Sequence, residues 1–276
     1  MIQAREGQIM SIMEETLATH VIRDPSVRLV GRLTIDEDEL TSFLEDEGVE
    51  SWKTDTDLAA QKLVEVAGRL CYKSYAKPRP GGNASYLGHI LEVGHGSVIE
   101  HAVYNFIITG VSRSFTHELV RHRAGWAYSQ RSQRFVDEKD CSFVEPDPIA
   151  DDPELHAIWL EAIQSSHRAY ARLAEGLAAK FVDIEDRTLR RKKAREAARS
   201  VLPNATETQI FVTANARALR HFIEARADGS ADAEIRKVAV AMLKILQVES
   251  PNLFGDYTLL DLTGGGQAAD TPYRKV

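Results

Sequence analysis

Cysteine is scarce in this chain of 276 residues, which holds only Cys71 and Cys141. The two thiols lie far apart in the sequence, and neither belongs to a Cys-x-x-Cys pair or stands beside a histidine cluster. They can pair in principle, but reduced and buried cysteines fit a cytosolic protein better. The cysteines therefore indicate neither a disulfide-stapled fold nor a metal site.

Long apolar runs are also missing. No stretch approaches the roughly 18 to 20 apolar residues that a membrane span needs, and the start of the sequence lacks the basic and apolar segments of a leader. We therefore expect a cytoplasmic protein with no membrane partner. Hydrophobic residues make up 43% of the chain and charged residues 27%, which is typical of a folded globular protein and excludes a fibrous or disordered one.

An excess of basic charge is absent as well, since the formal net charge is −7 at pH 7. An acidic net charge argues against a general nucleic-acid binder. It still permits a small anion site built from a few arginines, so the placement of individual arginines matters more than the net charge of the chain.

The apolar pattern indicates an α/β or α+β fold with more helix than strand, in which helices flank a central mixed sheet. The length allows one large domain or two small ones, and we predict a single domain over 1–255. The glycine-rich run TGGGQAADT indicates a mobile tail over 256–276.

We predict strands over 27–34, 102–109, 142–144 and 208–213. We predict helices over 56–72 and 84–92, a short helix within 36–47, two long helices between 153 and 200, and two more helices ending near 248. A loop is predicted over 75–83.

Basic residues recur on the helix predicted after the strand at 102–109. Arg113, His117 and Arg121 are spaced every four residues and so share one face, while Gly125 is placed to end the helix. Cations near a helix C-terminus have an ordinary explanation, because the helix dipole stabilises each of them by a few tenths to about 1 kcal/mol.

A polar run follows this helix, and the ordinary explanation does not account for it. The run supplies hydroxyl, amide and guanidinium donors that suit a phosphate and the edge of a pyrimidine. A dianionic ligand would account for both clusters. The run consists of Tyr128, Ser129, Gln130, Ser132, Gln133 and Arg134.

The triplet Arg121-His122-Arg123, followed by Ser132 and Arg134, resembles the signature of the flavin-dependent thymidylate synthases. In that family the triplet binds flavin and the Ser-x-Arg part binds the nucleotide. The motif is more specific than a lone glycine fingerprint. The resemblance implies the fold of that family and the reductive methylation of uracil in a pyrimidine nucleoside monophosphate.

The resemblance covers most of residues 70–255 and implies two sets of ligands. HGSVIEH at 95–101 looks like a flavin-contacting turn of the family, and NARALRHFIEARAD at 215–228 is similar to its C-terminal half. The implied flavin ligands are His95, Ser97, Glu100, Arg121, His122, Arg123, Asn215, Arg217 and His221. The implied nucleotide ligands are Glu118, Gln130, Ser132, Gln133, Arg134, Arg199 and Arg226.

One predicted helix carries four of these residues, and its geometry suits two ligands or two subunits. At about 100° per residue, Asn215 and Arg226 lie within roughly 20° of each other, and Arg217 and His221 within about 40°, on different faces. The alternative is an ordinary amphipathic helix, because its apolar residues face a core and arginines are common on surfaces.

The resemblance further implies FAD, a reduced nicotinamide such as NADPH, and 5,10-methylenetetrahydrofolate as the carbon donor. Arg226 would polarise the uracil so that carbon 5 becomes nucleophilic, and reduced flavin would supply the hydride. Since neither cysteine lies in a polar cluster, attack by a thiolate on carbon 6 is disfavoured. The family's sites are shared between the chains of a homotetramer, so we expect that assembly here.

The stretch between the triplet and Ser132 has eight residues where the family usually has seven, and we place the extra residue within 124–127. The longer loop is expected to bulge. His117 and Arg131 also stand where the family commonly has an arginine and an uncharged residue. Because added room near the sugar admits a 2′-hydroxyl, we hypothesise that UMP is accepted as well as dUMP, in the synthesis of modified nucleosides such as nucleoside antibiotics.

Two other functions remain open at this point. A regulatory protein that binds flavin and nucleotide without catalysis would keep the same pocket residues. A nucleic-acid-binding module would use the basic run at 187–199, although those charges also fit a solvated helix face and the net charge is acidic.

Overall fold

The computed structural model describes residues 19–77 and 80–276, and within them the chain is arranged in two compact units. The larger unit holds residues 24–130 and 208–276, and the smaller unit holds residues 131–207 together with 19–23. Both contain helices and strands, so the predicted α/β class is confirmed. The single domain over 1–255 stays a prediction.

The strands in chain order are β1 (His20–Ile22), β2 (Ser26–Gly31), β3 (Val103–Ser112), β4 (Trp126–Gln130), β5 (Ser142–Val144), β6 (Glu207–Asn215), β7 (Thr258–Asp261) and β8 (Gln267–Asp270). The helices are α1 (Glu37–Asp46), α2 (Ala59–Tyr72), α3 (Gly82–Glu92), α4 (Gly96–Ile99), α5 (Arg113–Leu119), α6 (Asp147–Ala150), α7 (Pro153–Lys180), α8 (Arg187–Ala198), α9 (Ala216–Arg226), α10 (Ala233–Glu249) and α11 (Pro251–Phe254).

A four-stranded sheet with the order β2-β3-β6-β4 organises the larger unit. Along β3, the side chains of Tyr104, Phe106 and Ile108 alternate into the interior and are almost fully buried, because successive residues of a strand point to opposite faces. They pack in one apolar core with helices α9 and α10, to which Phe222 and Met242 belong. Strand β6 leads directly into α9, so the sheet fixes where that helix begins.

Strand β4 lies where we expected a loop. It pairs antiparallel with β6 in an unbroken register that runs from Trp126 opposite Ala214 to Gln130 opposite Ile210. Its alternating exposed and half-buried residues carry too few fully apolar side chains for a clear strand signal in the sequence.

Helix α5 is shorter than predicted, and the prediction that Arg121 shares a face with Arg113 and His117 is wrong. The helix ends at Leu119, so Arg121 lies beyond it in a turn. Gly125 does not end the helix either, because it stands in the turn just before β4. The hydroxyl of Tyr128 lies 3.0 Å from the carbonyl oxygen of Leu119 and so supplies a partner for the helix end.

Residues 256–276, where we predicted a mobile tail, contain two strands. Strands β7 and β8 form an antiparallel hairpin, and the glycine run makes its turn, with Gly265 and Gly266 at φ of 88° and 77°. The backbone N–H of Ala269 donates to the carbonyl of Ala227 at 2.8 Å, which attaches the hairpin to the residue after α9. Glycine favours positive φ, and here that freedom serves a tight turn instead of a flexible linker.

Arg220 joins α9 to the hairpin from inside the core. Its side chain is only 2% exposed, and its two terminal nitrogens bind both carboxylate oxygens of Asp256 at 2.7 and 2.8 Å. The same guanidinium donates to the carbonyl of Leu253 at 2.7 Å. A buried charge is tolerated when it is paired and hydrogen-bonded in this way.

The smaller unit is built on helices α7 and α8 with the two-stranded parallel sheet β1·β5. Asp152 and Asp186 cap the two helices by accepting hydrogen bonds from N–H groups of their first turns. Phe143, Ile163 and Cys141 form its core, and burial raises the pKa of the Cys141 thiol to about 12. Across the described residues, no helix combines the length and apolar character of a membrane span.

We predict that Arg220→Met lowers the free energy of unfolding by about 3 to 5 kcal/mol, because the carboxylate of Asp256 is left without its partner. Urea denaturation followed by circular dichroism measures this change. Arg274→Met is the control, since its pair with Asp270 is exposed and its loss should leave the unfolding midpoint unchanged. Equal midpoints for the two variants would contradict the role given to Arg220.

Candidate functional site

Helix α9 carries most of the candidate residues in the larger unit. Asn215 precedes it in an extended conformation, and its side-chain oxygen accepts a hydrogen bond of 2.8 Å from the N–H of Ala218. This N-cap fixes the first turn. Arg217, His221 and Arg226 then follow along the helix.

Gly125 brings the turn that follows the triplet into close contact with the start of α9. Its φ is 73°, and a Cβ at this position would lie 2.7 Å from the Asn215 amide nitrogen. Its carbonyl accepts the N–H of Asn215 at 3.2 Å. Only glycine fits this approach without displacement. Since β4 pairs regularly from Trp126 onward, the bulge expected within 124–127 does not interrupt the strand, and any added length lies in the turn.

Tyr128, on strand β4, contacts the turn that contains the triplet 121–123. Its hydroxyl lies 2.5 Å from the carbonyl oxygen of His122, and its ring stacks on Trp126 at 5.7 Å with an interplanar angle of 9°. Burial raises the pKa of Tyr128 above its ordinary value, so the phenol stays neutral and donates. Trp126 was not among the predicted site residues. Its spacing of two residues from Tyr128 indicates that both side chains lie on one face of a strand, and this pattern could have identified it.

His122, Arg226 and Glu118 form one hydrogen-bonded cluster. The Arg226 Nε donates to His122 Nε2 at 3.1 Å, and its Nη1 donates to the Glu118 carboxylate at 2.9 Å. The rings of His221 and Phe222 lie 5.7 and 5.2 Å from the His122 ring. A predicted flavin ligand and two predicted nucleotide ligands are therefore in direct contact.

His122 is neutral at physiological pH. Burial, and then the charges of Arg226 and His221, lower its pKa from 6.5 to about 4. A neutral imidazole has one acceptor nitrogen, which here receives the Arg226 N–H and fixes the guanidinium.

Two cavities meet this part of α9. The first, about 490 Å³, is lined by the whole triplet with Trp126, His221 and Arg226, and will be called the triplet cavity. The second, about 380 Å³, is lined by Glu100, Asn215, Arg217 and His221 among others, and will be called the helix-start cavity. Ala124 and His221 line both.

Asn215 and Arg226, predicted to lie within roughly 20° of each other around the helix axis, line different cavities. Asn215 shares the helix-start cavity with Arg217, whereas Arg226 lines the triplet cavity. The reason is that Asn215 caps the start of α9 and Arg226 ends it, so side chains that project in one direction still reach different cavities. His221 stands between the two groups, as a residue that lines both cavities.

The turn at 95–101 is only partly drawn into these cavities. Glu100 accepts a hydrogen bond of 2.7 Å from Arg217 and lines the helix-start cavity. His95 is exposed and stacks at 6.3 Å on the ring of Tyr72, and Ser97 is exposed as well. The structure therefore places Glu100 with the other candidates, while the roles of His95 and Ser97 stay predictions.

Gln130 ends strand β4 and faces the first turns of α5. Its side-chain nitrogen donates to Thr116 at 3.1 Å and lies 3.4 Å from the hydroxyl of Thr208. These contacts fix the amide, and its role toward a pyrimidine stays a prediction.

Four predicted nucleotide ligands belong to the smaller unit. Ser132 accepts the backbone N–H of Arg134 at 3.3 Å, and Arg134 lies 3.4 Å from the Glu196 carboxylate. Arg199 is exposed at the end of α8, and Gln133 is half-buried. Within this unit, α8 thus brings the Glu196 carboxylate to the Ser-x-Arg segment, and the role of Arg199 stays a prediction.

Arg131, the unexpected cation in the polar run, has a structural explanation. Its Nη2 lies 2.9 Å from Glu207 and 3.5 Å from Glu138, and both carboxylates are almost fully buried. The arginine compensates these buried charges, so it need not alter the charge offered to a nucleotide.

Most of the chain matches a known protein family. Residues 54–252 match the family model described as Thymidylate synthase complementing protein. The chain is 52% identical over 223 residues to the flavin-dependent thymidylate synthase of Mycobacteroides abscessus, which covers 80% of this chain and 88% of that protein. It is 53% identical over 227 residues to the protein of the same name from Mycobacterium sp. strain JLS, covering 80% and 89%.

A solved structure shares the fold. The UMP/dUMP methylase PolB from Streptomyces cacaoi, bound with 5-Br UMP, superposes with a TM-score of 0.61 over 86% of this chain and 95% of that chain. The two sequences are 20% identical, so this likeness shows the architecture alone.

We predict that His122 makes stability fall as the pH falls from about 6.5 to about 4. In that window the unfolded chain binds a proton at His122 that the folded protein excludes, so acid favours unfolding. The measurement is the melting temperature against pH for the wild type and for His122→Gln, which keeps an acceptor but does not titrate. The wild-type curve should fall more steeply, and parallel curves would contradict the lowered pKa.

Proposed function

Since this chain belongs to the flavin-dependent thymidylate synthase family, we propose that it methylates carbon 5 of uracil in dUMP and UMP, with FAD, NADPH and 5,10-methylenetetrahydrofolate. The observation that carries the proposal is the joining of the triplet to Arg226 through His122. We further propose a cytoplasmic enzyme whose partners are nucleotide and folate substrates, without nucleic acid.

The triplet cavity fits a flavin by the chemistry of its lining. Arg121, Arg123 and Arg226 offer cationic donors for an anionic ligand, and Trp126 offers an aromatic wall for a planar ring. When bound and reduced, the flavin supplies the hydride that completes the methyl group. The helix-start cavity adds donors and acceptors from Asn215 and Arg217, and His221 links the two.

Arg226 is the residue that we propose acts on the uracil. Its side chain is 27% exposed, so it reaches the cavity while Glu118 and His122 hold two of its nitrogens. A guanidinium fixed in this way stabilises negative charge on a uracil carbonyl and so makes carbon 5 more nucleophilic. Neutral His122 orients the arginine without competing for the negative charge.

The chain's thiols are poorly placed for covalent catalysis. Cys71 is exposed on α2 and Cys141 is buried in the smaller unit, and neither lines the two cavities. Burial keeps the Cys141 thiol protonated, with a pKa of about 12, and a protonated thiol is a poor nucleophile. Activation of the uracil by Arg226 needs no covalent bond to the protein.

We propose that the remaining nucleotide ligands are Gln130, Ser132, Gln133, Arg134 and Arg199. Ser132, Arg134 and Arg199 would hold the phosphate, as the family resemblance implies. A homotetramer with shared active sites is part of the same proposal. It follows from the family resemblance.

Purified protein separates the enzyme from its alternative, a silent flavin- and nucleotide-binding regulator. The enzyme should be yellow or take up FAD, lose its flavin absorbance on addition of NADPH, and form methylated product when dUMP and the folate are added. A protein that binds flavin and nucleotide but forms no product under these conditions is the regulator.

We predict that Arg226→Ala lowers kcat/KM by about a hundredfold to a thousandfold, because a fixed donor to the developing charge is lost. Steady-state assays of product formation measure this effect. Cys71→Ala and Cys141→Ala are the controls and should retain turnover. Wild-type activity in the Arg226 variant would remove that residue from the mechanism.

We also predict comparable kcat/KM values for UMP and dUMP. Room near the sugar rejects a 2′-hydroxyl only weakly unless the group clashes or is left unpaired. Paired assays with the two nucleotides, each with folate and NADPH, measure the ratio. A preference for dUMP of about a hundredfold or more would contradict this hypothesis.

A further inference from the structure

Residues 271–276, here named the closing segment, follow strand β8 and lie against helix α9. Tyr273, Lys275 and Val276 line the helix-start cavity together with Asn215 and Arg217. None of the closing-segment residues was among the predicted ligands. The segment nevertheless forms part of the wall around predicted flavin contacts.

Hydrogen bonds from α9 hold the backbone of the closing segment. Buried Arg220 donates to the carbonyl of Tyr273 at 3.2 Å and lies 3.5 Å from the hydroxyl of Thr271. Glu224 accepts the N–H of Lys275 at 3.0 Å. Two residues of the helix therefore fix the position of the segment at three points.

The fit between the segment and the opposite wall is tight. A Cβ on Gly96 would lie 2.5 Å from the Val276 carbonyl carbon and 2.7 Å from Arg217 Nε. Lys275 has a φ of 60°, which is unfavourable for a residue with a Cβ and persists only where its surroundings hold it. The chain thus accepts a strained backbone at the point where it lines the cavity.

The lining offers both kinds of hydrogen-bonding group beside an aromatic surface. Arg217 and Lys275 supply donors, Glu100 and Glu224 supply carboxylate acceptors, and Tyr273 supplies a ring. A heteroaromatic ring system with donor and acceptor atoms matches this mixture better than a bare phosphate does.

We propose that the closing segment is a wall of the flavin pocket and positions the cofactor, with Tyr273 and Lys275 as its contacts. The inference rests on the proposed flavin function of the helix-start cavity. Arg220 acts through the segment, as the residue that anchors this wall to α9.

The test is a double variant, Tyr273→Ser with Lys275→Gly, because glycine keeps the positive φ at 275 while it removes the side chain. The dissociation constant of FAD, measured by quenching of flavin fluorescence, should rise by about tenfold or more, as expected when an aromatic contact with the ring is lost. Tyr273 also packs against the apolar core, so the melting temperature of the flavin-free protein should fall only modestly. The dissociation constant of dUMP should stay unchanged. Tyr273→Phe keeps the ring and should retain wild-type flavin affinity.

Two glycine variants test the wall that lies opposite the closing segment. Gly96→Ala places a methyl group against Val276 and Arg217 and should weaken FAD binding, whereas Gly88→Ala enters open space and should not.

Unchanged FAD affinity in the double variant would overturn the proposal. An equal loss of FAD affinity, dUMP affinity and melting temperature would also overturn it, because the segment would then be only structural. If the wild-type protein binds no flavin, the result contradicts the proposed function itself, and the proposal about the closing segment is then excluded with it.

Discussion

The contact of Arg226 with His122 is the interaction on which the rest of the site depends. It joins two segments that lie 104 residues apart, the turn after α5 and the end of α9, and Glu118 completes it. The contact requires a neutral imidazole, which is favoured by burial and then by the neighbouring Arg226 and His221. The half-buried His122, in its neutral form, therefore helps to position the guanidinium that is proposed to act on the uracil.

The residues that position this contact differ from the residues that are proposed to bind substrate. The Tyr128 hydroxyl donates a hydrogen bond to the carbonyl of His122 in the triplet turn. Gly125 has no side chain, and this lets the turn approach Asn215 closely. Arg220 holds the last hairpin onto the same helix that carries the candidate ligands. Residues with no proposed contact to substrate thus determine where the cationic groups stand.

Sequence patterns predicted the long helices and the buried strands, because their apolar periodicity is strong, as in β3 and α10. The candidate residues of α9 and the triplet were found by resemblance, and the structure brings several of them together. It could not be foreseen that α5 stops at Leu119, or that β4 pairs with β6. Those features depend on tertiary partners, and the hairpin at 256–276 is ordered for the same reason, through contacts with residues far away in the sequence.

Methylation of carbon 5 must replace the hydrogen on that carbon, and in this enzyme the replacement should require flavin. The most direct measurement is the release of tritium from dUMP labelled at carbon 5, with NADPH and the folate present, before and after the flavin is stripped from the protein. We expect one tritium released for each methylated product with flavin present, none after stripping, and recovery when FAD is restored. Equal release and methylation by the stripped protein would contradict flavin-dependent methylation at this site.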